Sequence, residues 1–333
     1  MVVYLIPFLF AYMDDFHSAQ CASEMQYYEP YKHWFPRNQA RLLVLWDALG
    51  IPHSEDKQVF GVELVVIGFL VDSRRMCITI PDEPLRRWTA KSKHGIRRTL
   101  REWQALAGYS NWVFNVFLLL KPALCNVYAK MEGKDRADTL IFVNEAVRND
   151  LTSLADRVES NDGIFLIKSV DFHPDDANLL IFCEASTHGD GRGGMGFYLP
   201  ALGLGFQAAL PEGIDPSLKI FFYEALCVCA ALHHAATLLP KGARLTIYTD
   251  SSNMVSIFNS LKALLAYNGI LKSAVDVLLA HDIDLRVLHV AGKLNSVADA
   301  ISRWRNDIAL ALVPGLAIHP FTPPRDALGA AQL

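Results

Sequence analysis

Asp14 and Asp15 stand side by side in an apolar string, with Leu5 to Phe10 before them and Phe16 directly after. Ionised carboxylates in an apolar setting are costly unless they are paired or bind a metal. Two at the tip of a greasy hairpin therefore point to divalent-metal chemistry, and they build half of a two-metal phosphoryl-transfer site. A second chemical feature is cationic. Arg86, Arg87, Lys91, Lys93, Arg97, Arg98 and Arg101 crowd one stretch, and the i, i+4 spacing of Lys93, Arg97 and Arg101 predicts one helical stripe. Its plain reading is a solvated helix face; its functional reading is contact with phosphates.

The string Tyr12-Met13-Asp14-Asp15 resembles the catalytic hairpin of reverse transcriptases. The resemblance continues in order. Leu49-Gly50-Ile51-Pro52 followed by Lys57 is similar to the palm segment of retroelement polymerases, and Val66-Ile67-Gly68-Phe69 to the hairpin after it. Pro81 to Lys130, with Leu106-Ala107-Gly108 and Leu120-Lys121-Pro122, resembles the thumb and connection region. The resemblance implies Asp14 and Asp15 as metal ligands, and Lys57, Lys93, Arg97 and Arg101 as nucleic-acid contacts. Such a polymerase also needs a third metal-binding aspartate and the fingers, both ahead of the hairpin. Only eleven residues precede Tyr12, so independent DNA synthesis is not expected.

Composition sets the outer limits. With 333 residues and 52% hydrophobic content the chain can form two packed domains. A net charge of −4 gives no global nucleic-acid signature, so any basic footprint is local. The six cysteines form no CxxC pair and follow no secretory leader, which predicts reduced thiols in an intracellular protein, cytoplasmic or nuclear. Cys229 and His233 share a helix face, but no second pair stands at zinc-ligand spacing, and packing is the expected role. Val2 to Ala11 is too short to span a membrane and reads as a buried strand. Ile220 to Leu239 has the length of a span, yet Glu224, His233 and His234 interrupt it, as in a helix sandwiched within a domain. No membrane role is expected.

Beyond Asp176 the pattern changes to strands around Leu179 to Cys183, Gly194 to Leu199 and Gly205 to Leu210, joined by glycine-rich turns. A long helix from Ile220, a strand Arg244 to Thr249, helices from about Ser251 and Leu264, a strand Asp284 to Val290 and a short helix after Asn295 follow. This is the element order of the ribonuclease H fold, and the text resembles that family residue by residue. Cys183-Glu184-Ala185-Ser186, Tyr223-Glu224-Ala225-Leu226 and Tyr248-Thr249-Asp250-Ser251 match its carboxylate positions. Ala291 to Arg303, which reads AGKLNSVADAISR, resembles the closing signature of ribonuclease H domains of gypsy-like and DIRS-like retroelements. The resemblance implies Glu184, Glu224, Asp250 and Asp299 as catalytic metal ligands. It also implies Mg²⁺, or alternatively Mn²⁺, as cofactor and an RNA–DNA hybrid or duplex as partner.

Taken singly, each of these acids is an ordinary turn former or surface group. Their order argues for a joint role. Asn295 is expected to cap the last helix and to place Asp299 one turn in, facing the site. Glu184 departs from the aspartate usual at its position; the extra methylene moves its oxygens by about 1.5 Å against a tolerance of about 0.5 Å, so activity should be weakened. The histidine some relatives carry in the loop Gly292 to Asn295 is missing, and nearby His289 is expected to pack. Pro314, Pro320, Pro323 and Pro324 punctuate a tail that reads as a linker.

The expected architecture is α/β and α+β. A partial reverse transcriptase palm and thumb (1–133) and a connecting region (134–173) precede a ribonuclease H-like domain with a mixed five-stranded sheet (174–304) and a proline-containing tail (305–333). The resemblance implies a retrotransposon polyprotein fragment whose C-terminal domain hydrolyses RNA in RNA–DNA hybrids, with RNA-directed DNA polymerase as the ancestral activity of the incomplete N-terminal part. The alternative is a catalytically inactive nucleic-acid-binding or scaffold remnant.

Overall fold

The computed structural model describes residues 6, 8–81, 97–159, 164, 165, 172–188, 193–214, 218 and 220–328. The chain divides into two units: Met1–Pro84 with Asp162–Ser169, and Leu85–Asn161 with Val170–Leu333.

The first unit is built from short antiparallel pairings. Strands β1 (Leu9–Tyr12) and β2 (Asp15–Ser18) form a hairpin with Tyr12 opposite Asp15. β3 (Met25–Tyr28) pairs with β4 (His33–Pro36), which leads into helix α1 (Arg37–Leu49). Gly50, at φ +69°, ends that helix in the left-handed conformation glycine adopts without cost. Tyr28, Phe35, Ala40 and Leu43 form the small core under α1. The Tyr28 hydroxyl donates to Asp47 at 2.5 Å, and the His53 ring lies 3.1 Å from Asp47 and 2.6 Å from the Tyr31 hydroxyl, which ties the end of α1 to the β3–β4 ribbon. β5 (Glu63–Val66), β6 (Phe69–Asp72) and β7 (Cys77–Thr79) make an antiparallel meander. The expected hairpin at Ile67-Gly68 is present, with both residues at positive φ, as a tight two-residue turn requires.

The expected buried strand at the N-terminus is not what forms. Residues 1–5 and 7 lie outside the described residues, and all of β1 is exposed, with Phe10 at 56% and Tyr12 at 51%. Among the described residues the hairpin pairs only with itself, and a two-stranded ribbon without a third strand is marginal on its own.

The second unit opens with β8 (Arg97–Thr99), α2 (Leu100–Val113), α3 (Cys125–Met131), β9 (Leu140–Phe142), which pairs with β8, and α4 (Glu145–Glu159). Here the expected basic helix is corrected. Lys93 lies outside the described residues, Arg97 is in a strand, and Arg101 is in the first turn of α2. The reason is local: the Thr99 side chain accepts from the Glu102 amide and Glu102 returns the bond to the Thr99 amide, a capping box that starts the helix at Leu100. β10 (Ile164–Phe165) belongs to the first unit, where it pairs antiparallel with β7.

The remaining elements form one mixed sheet with its helices. They are β11 (Leu179–Ser186), β12 (Gly194–Leu199), β13 (Leu204–Ala209), α5 (Ile220–Leu238), β14 (Arg244–Thr249), α6 (Ser252–Ser260), α7 (Asn268–His281), β15 (Asp284–His289), α8 (Ser296–Ser302), α9 (Asn306–Leu312) and β16 (Ala317–Pro320). The sheet order is β15-β14-β11-β12-β13-β16; β11 to β13 form an antiparallel meander, and β14, β15 and β16 join it in parallel. The expected element order from Leu179 to Arg303 is present. Two details differ. The sheet has six strands, and the supposed linker supplies α9 and the sixth strand, because backbone pairing with β13 outweighs the loop-like composition of the tail.

α5 is buried around most of its circumference against Ile181, Cys183, Phe197, Leu245 and Ile247. It is long and apolar enough to cross a membrane, but 61% of the qualifying window is buried within this fold. Cys229 donates to the Ile270 carbonyl, and the His233 ring lies 2.8 Å from the Ser273 hydroxyl, so both are used in packing α5 on α7.

Candidate functional site

Three of the acids converge where strands end. Glu184 lies near the end of β11, Asp250 follows β14, and Glu224 sits in the second turn of α5. Parallel pairing of β11 with β14 brings the first two to the same end of the sheet, and α5 packs across β11 to deliver the third. One carboxylate oxygen from each lies within 4.8 Å of the others. Glu184 is 7% exposed and Glu224 9%, whereas Asp250 is open to solvent.

Burial, and then the neighbouring Asp250 carboxylate, push the Glu184 carboxyl up to about 9. Glu224 is raised as well, first by burial and then by Asp250, with a hydrogen bond from Ser251 opposing the shift. Burial and mutual repulsion among these close acids therefore favour the protonated form of Glu184 over the charged one when no cation lies among them. Among the described residues, Glu224 Oε2 and Asn295 Oδ1 are buried without a hydrogen-bond partner. An orphaned carboxylate oxygen inside an acidic cluster suits a hard divalent cation, and the donor set fits one.

Helix α8 builds the fourth wall. Asn295 occupies its N-cap position, as expected, but the side chain does not cap. Instead Nδ2 donates to the Cys183 carbonyl at 3.0 Å and to Glu184 Oε2 at 2.9 Å. With Oε1 accepting from the Ala185 amide at 3.1 Å, both Glu184 oxygens are held. The helix reaches this position because Gly194 and Gly196 leave room: a Cβ on Gly196 would lie 2.7 Å from the Ser302 nitrogen, and one on Gly194 2.6 Å from the Ser302 oxygen. Gln207, buried on β13, donates to the Ile301 carbonyl and fixes the other end of α8.

Asp299 lies outside the cluster of three. It is half-exposed and bound to Arg303, with Nε 2.7 Å from Oδ1. His289 closes β15 opposite Thr249 and is exposed rather than packed, because it lies at the end of the strand. Asp14 and Asp15 are exposed at the tip of the β1–β2 hairpin and join no group of three candidate ligands among the described residues. Lys57 ends an exposed 3₁₀ turn, Glu55–Lys57, and Arg97 and Arg101 are also exposed. Sequence reasoning missed the Asn295 contact to Glu184 and the approach of Gly292, whose Cβ would come 3.1 Å from Asp250 Oδ2. An asparagine one helical turn before an acid was the available signal.

No protein-family model matches the chain, and no curated protein does. Among solved structures the chain is similar to RNase H1 from the halophilic archaeon Halobacterium salinarum, at 15% identity over 40% of this chain and 98% of that one, with a TM-score of 0.30. It is similar to LC11-RNase H1 in complex with an RNA/DNA hybrid, at 14% identity over 40% of this chain and 99% of that one, TM-score 0.33. It is also similar to the N-terminal RNase H domain of rv2228c from Mycobacterium tuberculosis, at 16% identity over 40% and 96%, TM-score 0.28.

Proposed function

We propose that the sheet unit carries a ribonuclease H-like nuclease that hydrolyses the RNA strand of RNA–DNA hybrids with Mg²⁺, or Mn²⁺ in its place. The observation that carries this reading is the convergence of Glu184, Glu224 and Asp250 within 4.8 Å, with a buried orphan oxygen on Glu224. Those three side chains would hold the cation. When bound, such an ion lowers the pKa of an attacking water and stabilises charge on the leaving oxygen. The chain's own part is to fix the ligands. Asn295 and the Ala185 amide orient the two Glu184 oxygens, and Gly292 keeps the approach to Asp250 free of a side chain. Rigid mounts of this kind are what in-line attack requires.

Two sequence signatures support an origin in a retroelement: Tyr12 to Asp15, and Ala291 to Arg303. On that reading the first unit is the remainder of a polymerase palm, and Asp14 and Asp15 are the ancestral metal ligands, lacking their third partner among the described residues. A second reading, an inactive hybrid-binding remnant, draws support from Glu184, whose side chain is one methylene longer than aspartate and is already bonded at both oxygens.

Cleavage of an end-labelled RNA–DNA hybrid by the full chain and by Asp250→Asn decides between them. The nuclease reading expects Mg²⁺-dependent cuts in the RNA strand that chelation and Asp250→Asn both abolish. Hybrid binding with no cleavage in Mg²⁺ or Mn²⁺ selects the remnant.

A further inference from the structure

Asn295, Asp299 and Arg303 recur every four residues along α8 and its C-cap, so their side chains lie one above another on a single face. The first of them is inside the acidic cluster, bonded to Glu184. The second is Asp299, half-exposed one turn on. The third, Arg303, places Nε 2.7 Å from Asp299 Oδ1 and reaches the His188 carbonyl with Nη1 at 3.4 Å. Trp304, next in sequence, donates from its indole nitrogen to the Gly193 carbonyl at 3.3 Å. Two consecutive side chains thus hold the end of the segment that follows β11 and the start of the one that leads into β12. A guanidinium can do both tasks at once because its donors are fixed in a planar fork.

We propose that Arg303 is a positioning residue that holds Asp299 as its own counter-ion and so competes with a second divalent cation beside the triad. The proposal rests on the nuclease reading of Glu184, Glu224 and Asp250. Oxygens of those three residues within 4.8 Å of one another surround room for one ion. A second ion, about 3.5 to 4 Å from the first in two-metal sites, must draw on a carboxylate outside the triad. Asp299 is the acid on the helix face that already touches Glu184 through Asn295. While Arg303 bonds its Oδ1, that oxygen is engaged by a cation that also reaches the His188 carbonyl. Both partners are more than a third exposed, so the competition has the size of a screened pair, about two- to fivefold in a binding constant.

The test is Mn²⁺ titration of the full chain, with bound and free ion counted by electron paramagnetic resonance. The proposal expects one tighter and one weaker ion in the parent. Arg303→Gln should tighten the weaker ion about two- to fivefold and leave the tighter one as it was. In an Asp299→Asn background the same Arg303→Gln change should have no effect, because the arginine acts through Asp299. Arg303→Lys, which keeps the charge, should leave the second ion weak. Arg303→Met, which keeps the aliphatic stem, replaces Arg303→Gln if that variant does not fold. An unchanged or weaker second ion in the charge-neutral variant overturns the proposal. So does equal tightening in the Asp299→Asn background, which assigns the effect to general charge. A parent that binds no Mn²⁺ removes the nuclease reading itself, and this proposal with it.

Discussion

The side-chain amide of Asn295 donates to Glu184 Oε2 at 2.9 Å across 111 positions of sequence, joining the start of α8 to the end of β11. The same nitrogen also satisfies the Cys183 carbonyl, so one buried group, 1% exposed, serves both the strand and the acid.

Removing that donor should therefore cost stability as well as function. Asn295→Ala leaves a buried carbonyl and a carboxyl oxygen without their donor, a loss of about 1 to 3 kcal/mol. Urea unfolding of parent and variant measures it; an unchanged midpoint would show that the amide does not support the fold.

Proton and metal should compete at Glu184. Its carboxyl is raised to about 9 by burial and Asp250, so above the ordinary carboxylate range the folded chain keeps a proton that the unfolded chain has released. That contribution to stability is complete below the unfolded pKa and is lost as pH rises through the folded value of about 9. A divalent cation must displace the proton, so its apparent affinity should climb with pH and its binding should release protons. Melting temperatures across that range, with and without Mg²⁺, test both signs; ion affinity independent of pH would place the ion away from Glu184.

Glu184→Asp separates a weak nuclease from an inactive remnant. If the longer reach of glutamate misplaces the ligand oxygens, aspartate should raise Mg²⁺-dependent hybrid cleavage by about a hundredfold. Glu184→Asp with Asp250→Asn is the control. Equal inactivity of the two, with hybrid binding and folding intact, would leave the remnant as the better account.

The helices before the sheet should share its stability. Asp150, 2% exposed on α4, pairs with Lys272 of α7 and accepts from Asn126 at 2.7 Å, while Arg157 pairs with Asp276. Asp150→Ala should lower the unfolding free energy by about 1 to 3 kcal/mol, with Lys272 partly rehydrated by its exposure. Limited proteolysis should find residues 97–159 and the sheet protected together in the parent and cleaved apart more readily in the variant. Equal protease resistance would show that the anchor is idle.

Much of the sheet unit could be read before it was seen. Apolar runs joined by glycine-rich turns mark β11 to β13, and the resemblance of Tyr223-Glu224-Ala225-Leu226 to the helical glutamate of ribonuclease H domains singles out Glu224. The basic stripe misled because i, i+4 spacing does not exclude a strand. Thr99 and Glu102, the local capping signal, decide where the helix begins. β16 was illegible for a different reason: its hydrogen bonds come from β13, more than a hundred positions away, and nothing in its own composition announces them. The reach of Asn295 to Glu184 is tertiary in the same sense. At Asp14 and Asp15 the hairpin was legible, while the exposure of its apolar faces depends on what does not pair with it.

The sixth strand also covers an edge of the sheet. By lying along β13, Ala317–Pro320 occupies a row of backbone donors and acceptors that would otherwise be a template for any passing extended chain. The new border it creates ends in Pro320, which has no amide hydrogen to offer, and edges with that defect recruit further strands poorly. Trimming the chain after Arg303 would uncover the border of β13, leaving its backbone donors and acceptors open to a further strand.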